Sequence, residues 1–143
     1  MQIRNMVIDD YDSVFKLWTN TAGMGMRSLD DTREGIRKFL GRNPTTNFVA
    51  IEDGKIVGVT LGGHDGRRGY IYHTAVDTNC RGLGIGKELV EAAVNAFKAE
   101  GINKAALVVF SSNNLGNGFW NSLGWERRTD LNYYNKSLND MNL

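Results

Sequence analysis

The segment from Arg81 to Lys87 reads Arg-Gly-Leu-Gly-Ile-Gly-Lys, a set of residue types and a spacing suited to binding an anion. Glycines at every second position let the backbone turn tightly and come close to a ligand. The residues that follow have an apolar face at helical spacing, which predicts a helix to about Glu100. Unpaired N–H groups at the start of that helix, with the charges of Arg81 and Lys87, predict a phosphate site. The alternative is an ordinary glycine-capped turn with solvated basic residues.

The same segment fits neither of two common nucleotide-binding motifs. A P-loop needs Gly-x-x-x-x-Gly-Lys followed by Ser or Thr, but Arg81 occupies the first glycine position and Glu88 follows Lys87. A dinucleotide-binding turn needs a third glycine where Lys87 stands, and an acidic residue after the next strand. That strand ends in Phe110 and Ser111 instead. A nucleotide-binding module is therefore the weaker interpretation.

Periodicity and turn residues predict the elements that must position this segment. Strands are expected over residues 2–6, 47–52, 55–61, 70–77 and 104–110, with one or two more in the tail. Asp53-Gly54 predicts a hairpin between the second and the third of these strands. Helices are expected after the capping residues Asp9 or Asp10, after Asp30 or Asp31, after a tight loop that runs through Gly86, and over about 115–123. A glycine-rich loop, 62–69, precedes the fourth strand. This order predicts an α/β (α+β) fold with a mixed central sheet of about six to seven strands flanked by about four helices.

Length and composition restrict the class of protein. With 143 residues, 41% hydrophobic and 23% charged, the chain is expected to form a single domain over residues 1–143. Its net charge of +1 gives no basic excess for nucleic acid. The one cysteine, Cys80, excludes an internal disulfide and has no neighbours at metal-ligand spacing, so no metal is expected. The longest apolar run, 105–110, is too short to span a membrane, and no signal core is visible, so we expect a cytoplasmic protein.

Two motifs in order resemble the GNAT superfamily of N-acetyltransferases. Residues 81–86 match the signature Gln/Arg-x-x-Gly-x-Gly/Ala, after a stretch, 74–77, that looks like the family's fourth strand. Asn113, Gly116 and the run 120–125 are similar to its later motif of Asn, a small residue, an aromatic and Leu-Gly-aromatic. The resemblance covers nearly the whole chain and implies the acyl-CoA N-acyltransferase fold. The loop 61–70 further resembles small YpeA-type bacterial members.

The resemblance implies acetyl-CoA as cosubstrate and a set of residues that hold it. In the family, pantetheine lies between the splayed fourth and fifth strands, and the pyrophosphate lies on the glycine loop. The residues that correspond to these contacts are Thr74, Ala75, Val76, Arg81, Gly82, Leu83, Gly84, Ile85, Gly86, Lys87, Asn113, Gly116 and Trp120. Unpaired backbone groups between two splayed strands need the partners that an amide chain offers.

The resemblance also implies direct transfer of the acetyl group to an amine, but the usual catalytic residues are absent. Val108 and Trp120 stand where the family often has a glutamate base and a tyrosine acid, and neither can do that chemistry. Regular alternation in the fourth strand would place Tyr70 and Tyr72 on one face and His73 on the other. Some family members place their base on the fourth strand at the positions that match Tyr70 and Tyr72, so the resemblance makes Tyr72 the candidate catalytic residue, and His73 is expected to pack away from it.

The acceptor is not identified by the sequence. Met24, Arg27, Tyr70 and Tyr134 are the candidate substrate residues, because the family often builds its acceptor site from the matching regions. A small amine, an amino acid, a protein N-terminus and a lysine side chain all remain open. So do another acyl-CoA donor and a non-catalytic acyl-CoA sensor. A homodimer, which is common in the family, is one of the oligomeric states left open.

Overall fold

The computed structural model describes all 143 residues and contains one five-stranded sheet. The strands lie in the order β1-β2-β3-β4-β5, antiparallel from β1 to β4 and parallel between β4 and β5. The strands are β1 Gln2–Asn5, β2 Phe48–Glu52, β3 Lys55–His64, β4 Gly69–Val76 and β5 Ala105–Ala106. The helices are α1 Tyr11–Thr19, α2 Arg33–Arg42, α3 Ile85–Ala99 and α4 Asn114–Ser122, with short 3-10 turns at Ile8–Asp10 and Thr78–Cys80.

Helices cover both faces of the sheet. On one face α1 and α2 contribute Val14, Trp18 and Ile36 to a core shared with Val59 and Ala75 of the strands. The apolar spacing predicts one helical face of Tyr11, Val14, Phe15 and Trp18. Tyr11, Val14 and Trp18 are buried, whereas Phe15 is 40% exposed and lies at the edge of that face.

On the other face the core lies under α3 and α4. There α3 contributes Ile85, Leu89, Val90, Ala93 and Phe97. The second helix is capped by Thr32, whose hydroxyl accepts a bond from Gly35 N at 3.0 Å, and not by Asp30 or Asp31 as expected. The sheet is thus a rigid layer between two sets of helices.

The glycine-rich loop expected over 62–69 is shorter than predicted, because Gly62 and Gly63 belong to β3. A Cβ at Gly62 would lie 2.6 Å from Thr46 O, and one at Gly63 would lie 2.8 Å from the Phe39 ring. These glycines allow neighbouring elements to approach the strand closely. In the sequence, glycines with this role look the same as glycines of a loop.

The sheet has fewer strands than expected, because the end of the chain forms none. Only Ala105 and Ala106 of the predicted 104–110 strand pair with β4, and the predicted tail strands are absent. The continuous apolar run 107–110 is not paired, and its burial alternates: Leu107 and Val109 are half-buried, while Val108 and Phe110 are exposed. Ser28 and Leu143 exchange hydrogen bonds instead, and these hold the tail against the segment before α2.

No helix is both long enough and apolar enough to cross a lipid bilayer.

Candidate active site

β4 and β5 separate soon after they meet, which leaves one edge of β4 open. The two strands pair only at Gly69 with Ala105 and at Tyr70 with Ala106. From Ile71 to Val76 the backbone is paired with β3 on one side and faces no strand on the other. Unpaired N–H and C=O groups at such an edge need partners, and an extended ligand with amide groups can provide them.

Three of the predicted cofactor residues, Thr74, Ala75 and Val76, lie along this open edge. The Thr74 hydroxyl is 2.7 Å from the Thr60 hydroxyl, so its side chain is already hydrogen-bonded. Ala75 is buried in the core beneath α1. The backbone of this segment, and not its side chains, is therefore what a ligand can contact.

The glycine loop meets the open edge at the start of α3. Gly82 and Gly84 have φ of +81° and +79°, and a Cβ on either would meet nothing within 4 Å. Glycine is thus needed here for the left-handed backbone and not for space. The first hydrogen bond of the helix runs from Glu88 N to Gly84 O at 3.1 Å. The N–H groups of Ile85, Gly86 and Lys87 therefore have no partner within the helix.

The glycine loop has exposed basic side chains and one buried apolar side chain that holds it to the core. Arg81, Leu83 and Lys87 are exposed, whereas Ile85 is 3% exposed and fixes the loop to the core. Lys87 Nζ is 3.9 Å from the Glu91 carboxylate, a distance that leaves the ammonium free to face a ligand. Free backbone donors, the positive end of a helix and basic side chains together form an anion site.

Helix α4 faces this site with Asn113 at its N-terminus. Asn113 Oδ1 accepts a bond from Gly116 N at 2.9 Å and so caps the helix. A Cβ at Gly116 would lie 2.6 Å from Asn113 Nδ2, so glycine is required there by the cap itself. A Cβ at Gly118 would meet nothing within 4 Å. Trp120 is half-buried and packs edge-on against Phe119 at 5.0 Å, within the shell of the core beneath α3.

A β-bulge in β4 changes which side chains share a face. Thr60 pairs with Thr74 and Gly62 pairs with Ile71, so Leu61 alone lies opposite both Tyr72 and His73. The prediction from regular alternation was therefore wrong for His73.

Side-chain contacts confirm that Tyr72 and His73 share the sheet face that α1 and α2 cover. Tyr72 packs edge-on against Phe39 of α2 at 5.4 Å, and His73 packs edge-on against Trp18 of α1 at 5.0 Å. Ile71 lies in the core under α3. The bulge thus brings an imidazole beside the two tyrosines.

Tyr70 and Tyr72 form an aromatic pair, with ring centroids 4.6 Å apart. Burial, with the nearby Tyr133 and Tyr72 phenols, raises the pKa of Tyr70 to about 12. Burial also raises the pKa of Tyr72, with further contributions from Tyr133 and Asp30. Both phenols therefore keep their protons at neutral pH and act as hydrogen-bond donors. Tyr72 is 54% exposed, so a ligand can reach it.

The connection between α1 and α2 lies against the end of the β5 segment. A Cβ at Gly23 would lie 2.9 Å from Asn113 Nδ2, and one at Gly25 would lie 3.5 Å from the Phe110 ring. Met24 between them packs on the core beneath α1. This connection brings the predicted acceptor segment to the same end of the sheet as the cofactor loop and Asn113.

Of the other two predicted substrate residues, Arg27 is exposed and Tyr134 is 87% exposed. Arg27 donates its backbone N–H to Asp31 Oδ2 at 2.6 Å, and both residues line a cavity of about 460 Å³ beside α1. The neighbouring Tyr133 helps to raise the pKa of both Tyr70 and Tyr72, whereas Tyr134 has no such effect.

Sequence reasoning did not anticipate the position of Asp31 beside β4. Asp31 was expected to cap a helix, but it is 7% exposed and its Oδ1 lies 2.9 Å from His73 Nε2. The two residues are 42 positions apart, and no local pattern connects them.

Comparison with known proteins identifies the family. The model of the acetyltransferase (GNAT) family matches residues 11–125. An acetyltransferase of Pectobacterium atrosepticum is 32% identical over 126 residues, which are 88% of this chain and 88% of that protein. An uncharacterized N-acetyltransferase of Yersinia pestis is 31% identical over 131 residues, 92% of each chain. The chain belongs to the GNAT family of acetyltransferases.

Solved structures show the same GNAT fold. An aminoglycoside acetyltransferase from a soil metagenome, in complex with sisomicin, has a TM-score of 0.74 at 24% identity and covers 95% of this chain and 96% of its own. The PaiA N-acetyltransferase of Thermoplasma acidophilum, in complex with coenzyme A, has a TM-score of 0.74 at 17% identity and covers 85% and 86%. The predicted family and fold class are therefore confirmed, with five strands where six or seven were expected.

GNAT membership makes the chain an acyltransferase and supports acetyl-CoA as its cosubstrate. The geometry fits such a ligand, since backbone groups are open along β4 and anion-binding donors stand at the start of α3. One extended molecule with amides in its arm and a pyrophosphate at its end can satisfy both features.

Proposed function

We propose that this GNAT enzyme transfers an acetyl group from acetyl-CoA directly to the nitrogen of an amine. The observation that carries the proposal is the meeting of the open β4 edge with the donor-rich start of α3. Acetyl-CoA supplies the acetyl group as an activated thioester. The backbone of Thr74 to Val76 holds the amide arm, and the N–H groups from Gly82 to Lys87, with Arg81, hold the pyrophosphate.

Three residues of the second motif complete the cosubstrate site in this proposal. Asn113 keeps its amide Nδ2 available beyond the helix cap, and Gly116 lets the backbone of α4 approach the arm. Trp120 forms a wall with the part of its ring that Phe119 and Trp125 leave uncovered. An indole has no acidic proton near neutral pH, so Trp120 packs and does not protonate the leaving thiolate.

Tyr72 acts at the reacting end as a donor. Its phenol is exposed, and its raised pKa keeps the proton on the oxygen. From the α1 and α2 face it can orient the acceptor or an ordered water. Val108, which is 54% exposed, contributes only apolar surface.

The acceptor is proposed to arrive as an ammonium ion. Tyr70 and Tyr72 offer aromatic surface, and the Asp30 carboxylate is near enough to influence Tyr72. Aromatic rings and a carboxylate together attract an organic cation. Met24, Arg27 and the exposed tail residue Tyr134 are the further residues proposed to contact the acceptor.

A coenzyme-release assay across an amine panel tests the function. The panel should contain an aminoglycoside, glucosamine 6-phosphate, a polyamine, free amino acids, a peptide with a free N-terminus and a lysine peptide. We expect thiol release that requires both acetyl-CoA and one class of amine, with a mass gain of one acetyl group on that amine. Propionyl-CoA and succinyl-CoA in parallel test the acyl group.

The rival function is a non-catalytic acyl-CoA sensor, which the side chains at Val108 and Trp120 favour. A sensor binds acetyl-CoA in calorimetry but releases no thiol above the rate without protein. That combination, across the whole panel, would overturn the proposal of catalysis while leaving the cosubstrate site intact.

A further inference from the structure

His73 and Asp31 form a buried hydrogen-bonded pair that the proposed cosubstrate contacts do not use. Nε2 of His73 is 2.9 Å from Oδ1 of Asp31, and the two side chains are 14% and 7% exposed. The other Asp31 oxygen accepts the Arg27 N–H at 2.6 Å, and its carbonyl accepts the Tyr11 hydroxyl at 2.6 Å. The ring is held from the side by the edge of Trp18. The pair therefore has little freedom to move.

This geometry fixes the proton on one ring nitrogen. An ionised carboxylate only accepts hydrogen bonds, so His73 Nε2 must carry the proton that lies toward Asp31. The neutral ring then has its lone pair on Nδ1. Nδ1 has no hydrogen-bond partner in the protein, and it is not sealed from solvent, because Trp18 Nε1 is the only fully buried side-chain polar atom without a partner. A water molecule can therefore reach Nδ1.

The β-bulge places this ring at the reacting end of the site. Tyr72 and His73 lie together on the α1 and α2 face, opposite Leu61. His73 is three residues beyond Tyr70, where β4 and β5 part, or roughly 10 Å along the strand at the usual rise. Thus the imidazole is on the strand that is proposed to hold the cosubstrate, and on the face that is proposed to receive the amine.

We propose that His73, oriented by Asp31, is the general base of the transfer, acting through one water; this inference rests on the proposed function. The arriving ammonium first loses one proton through the water to His73 Nδ1, and His73 returns that proton to solvent, which leaves a lone pair on the nitrogen. This lone pair attacks the thioester carbon, a C–N bond forms, and the C–S bond breaks with its electron pair going to sulfur. The second proton, which the nitrogen loses on becoming an amide, passes through the same water to His73 Nδ1. Solvent protonates the thiolate and later takes the proton from the imidazolium, so atoms and charges balance.

Asp31 is a positioning residue in this scheme, because it contacts His73 and not the substrate. Its carboxylate holds the tautomer and stabilises the imidazolium as that ion forms. The other titratable groups around the pair are Tyr72 on β4, Tyr11 on α1, Asp30 next to Asp31, and Arg33, which lies over the Tyr11 ring at 5.2 Å. Both phenols have raised pKa values and keep their protons, and Arg33 is already a cation. The Asp30 carboxylate accepts a bond from Asn142 Nδ2 at 2.8 Å, and its proposed role is to attract the ammonium.

The test compares His73→Gln, Asp31→Asn and a control, His64→Gln, with the parent. The chain has two histidines, and His64 lies at the end of β3 with Nε2 4.0 Å from Glu100. For His73→Gln we expect kcat with the active amine to fall about 100-fold, a usual contribution of a general base. KM for acetyl-CoA should change less than threefold. The plot of kcat/KM against pH should lose the limb that the parent owes to its general base. For His64→Gln no change is expected.

A measurement on the protein without substrate gives a second readout. Nitrogen-15 chemical shifts of the imidazole, assigned with His64→Gln, report which ring nitrogen of His73 carries the proton. We expect the Nε2–H form in the parent and a mixture of tautomers in Asp31→Asn, with kcat reduced less than in His73→Gln. Urea unfolding identifies a variant that loses activity by unfolding.

Two results would overturn the assignment. One is a folded His73→Gln with kcat within threefold of the parent and an unchanged pH profile. The other is an Nδ1–H tautomer in the parent, which leaves no lone pair at the open position. If the parent itself releases no coenzyme with any amine, it is the proposed function that fails; the tautomer measurement still tests the orientation by Asp31.

Discussion

Replacing Gly84 by glutamate should remove most of the affinity for acetyl-CoA. Gly84 has φ of +79°, and a Cβ there would meet nothing within 4 Å. The new side chain therefore has space but must adopt a left-handed backbone, which costs about 1–2 kcal/mol of folding stability. Its carboxylate would stand among the N–H groups that precede the first bond of α3, where we propose that the pyrophosphate binds.

The expected loss follows from charge repulsion. Two unit charges about 5 Å apart repel by about 0.8 kcal/mol even at the dielectric constant of water. A pyrophosphate with two charges near the carboxylate would be repelled by about 1.7 kcal/mol, which weakens binding roughly 15-fold in Kd. This is the smallest repulsion expected, because it uses the dielectric constant of water. Competition of the carboxylate for the same backbone donors adds to this.

Two control variants separate charge from backbone strain. Gly84→Gln has nearly the same shape without the charge and should bind several times better than Gly84→Glu. Gly101 has φ of +78° and equally open surroundings, but it follows the other end of α3, about 24 Å away along the helix. Gly101→Glu should lose stability without losing affinity.

Calorimetry with coenzyme A measures the affinities, and urea unfolding checks the fold of each variant. Parental affinity in a folded Gly84→Glu would refute the placement of the pyrophosphate. Equal losses of affinity in Gly84→Glu and Gly101→Glu would show that strain, and not local charge, was the cause.

Three further predictions concern the reacting end, the proposed wall and the stability of the fold. Tyr72→Phe should lower kcat at least threefold with the active amine; a smaller change, below about 0.65 kcal/mol, would assign Tyr72 to packing alone. Trp120→Phe should keep most of kcat, whereas Trp120→Ala should weaken acetyl-CoA binding in calorimetry; a folded alanine variant with parental affinity would contradict the wall. Asp10→Asn should destabilise the protein by about 2 kcal/mol at pH 7, because Asp10 makes two bonds of 2.8 Å to Arg4. Burial acts to raise the pKa of Asp10, but the Arg4 bonds and the Val7 N–H outweigh it and hold that pKa below its ordinary value. The stabilisation is therefore complete above the ordinary carboxylate value near 3.9 and is lost as the pH falls through the lower folded value. Urea unfolding at pH 7 and pH 3 should show the difference between parent and variant narrowing at low pH; a constant difference would mean that the charge of Asp10 contributes nothing.

The sequence determined those features whose physics is local. Alternating glycines before an apolar periodic stretch predicted the loop and α3, because backbone freedom and helix periodicity are properties of neighbouring residues. The buried face of α1 followed from spacing alone, and so did the hairpin at Asp53 and Gly54, which adopt positive φ values of 50° and 76°. The family resemblance used these same local motifs and added their order along the chain.

Pairing and register were decided only by the tertiary structure. The continuous apolar run 107–110 is typical of a buried strand but does not pair, because β4 and β5 diverge after two residue pairs. Gly62 and Gly63 have loop composition but lie in β3. Glycine is needed there because Thr46 and Phe39 approach the strand too closely for a side chain.

The bulge opposite Leu61 is the consequence of long-range packing that matters most for the site. It turns His73 to the side of Tyr72, and α1 and the segment before α2 then bring Trp18 and Asp31 to the ring. Residues 42 positions apart meet there because both are fixed by the packing of helices on the sheet, and that packing leaves no periodic trace in the sequence. The sequence therefore located the proposed cosubstrate site, whereas the pair proposed to take the proton became visible only in the fold.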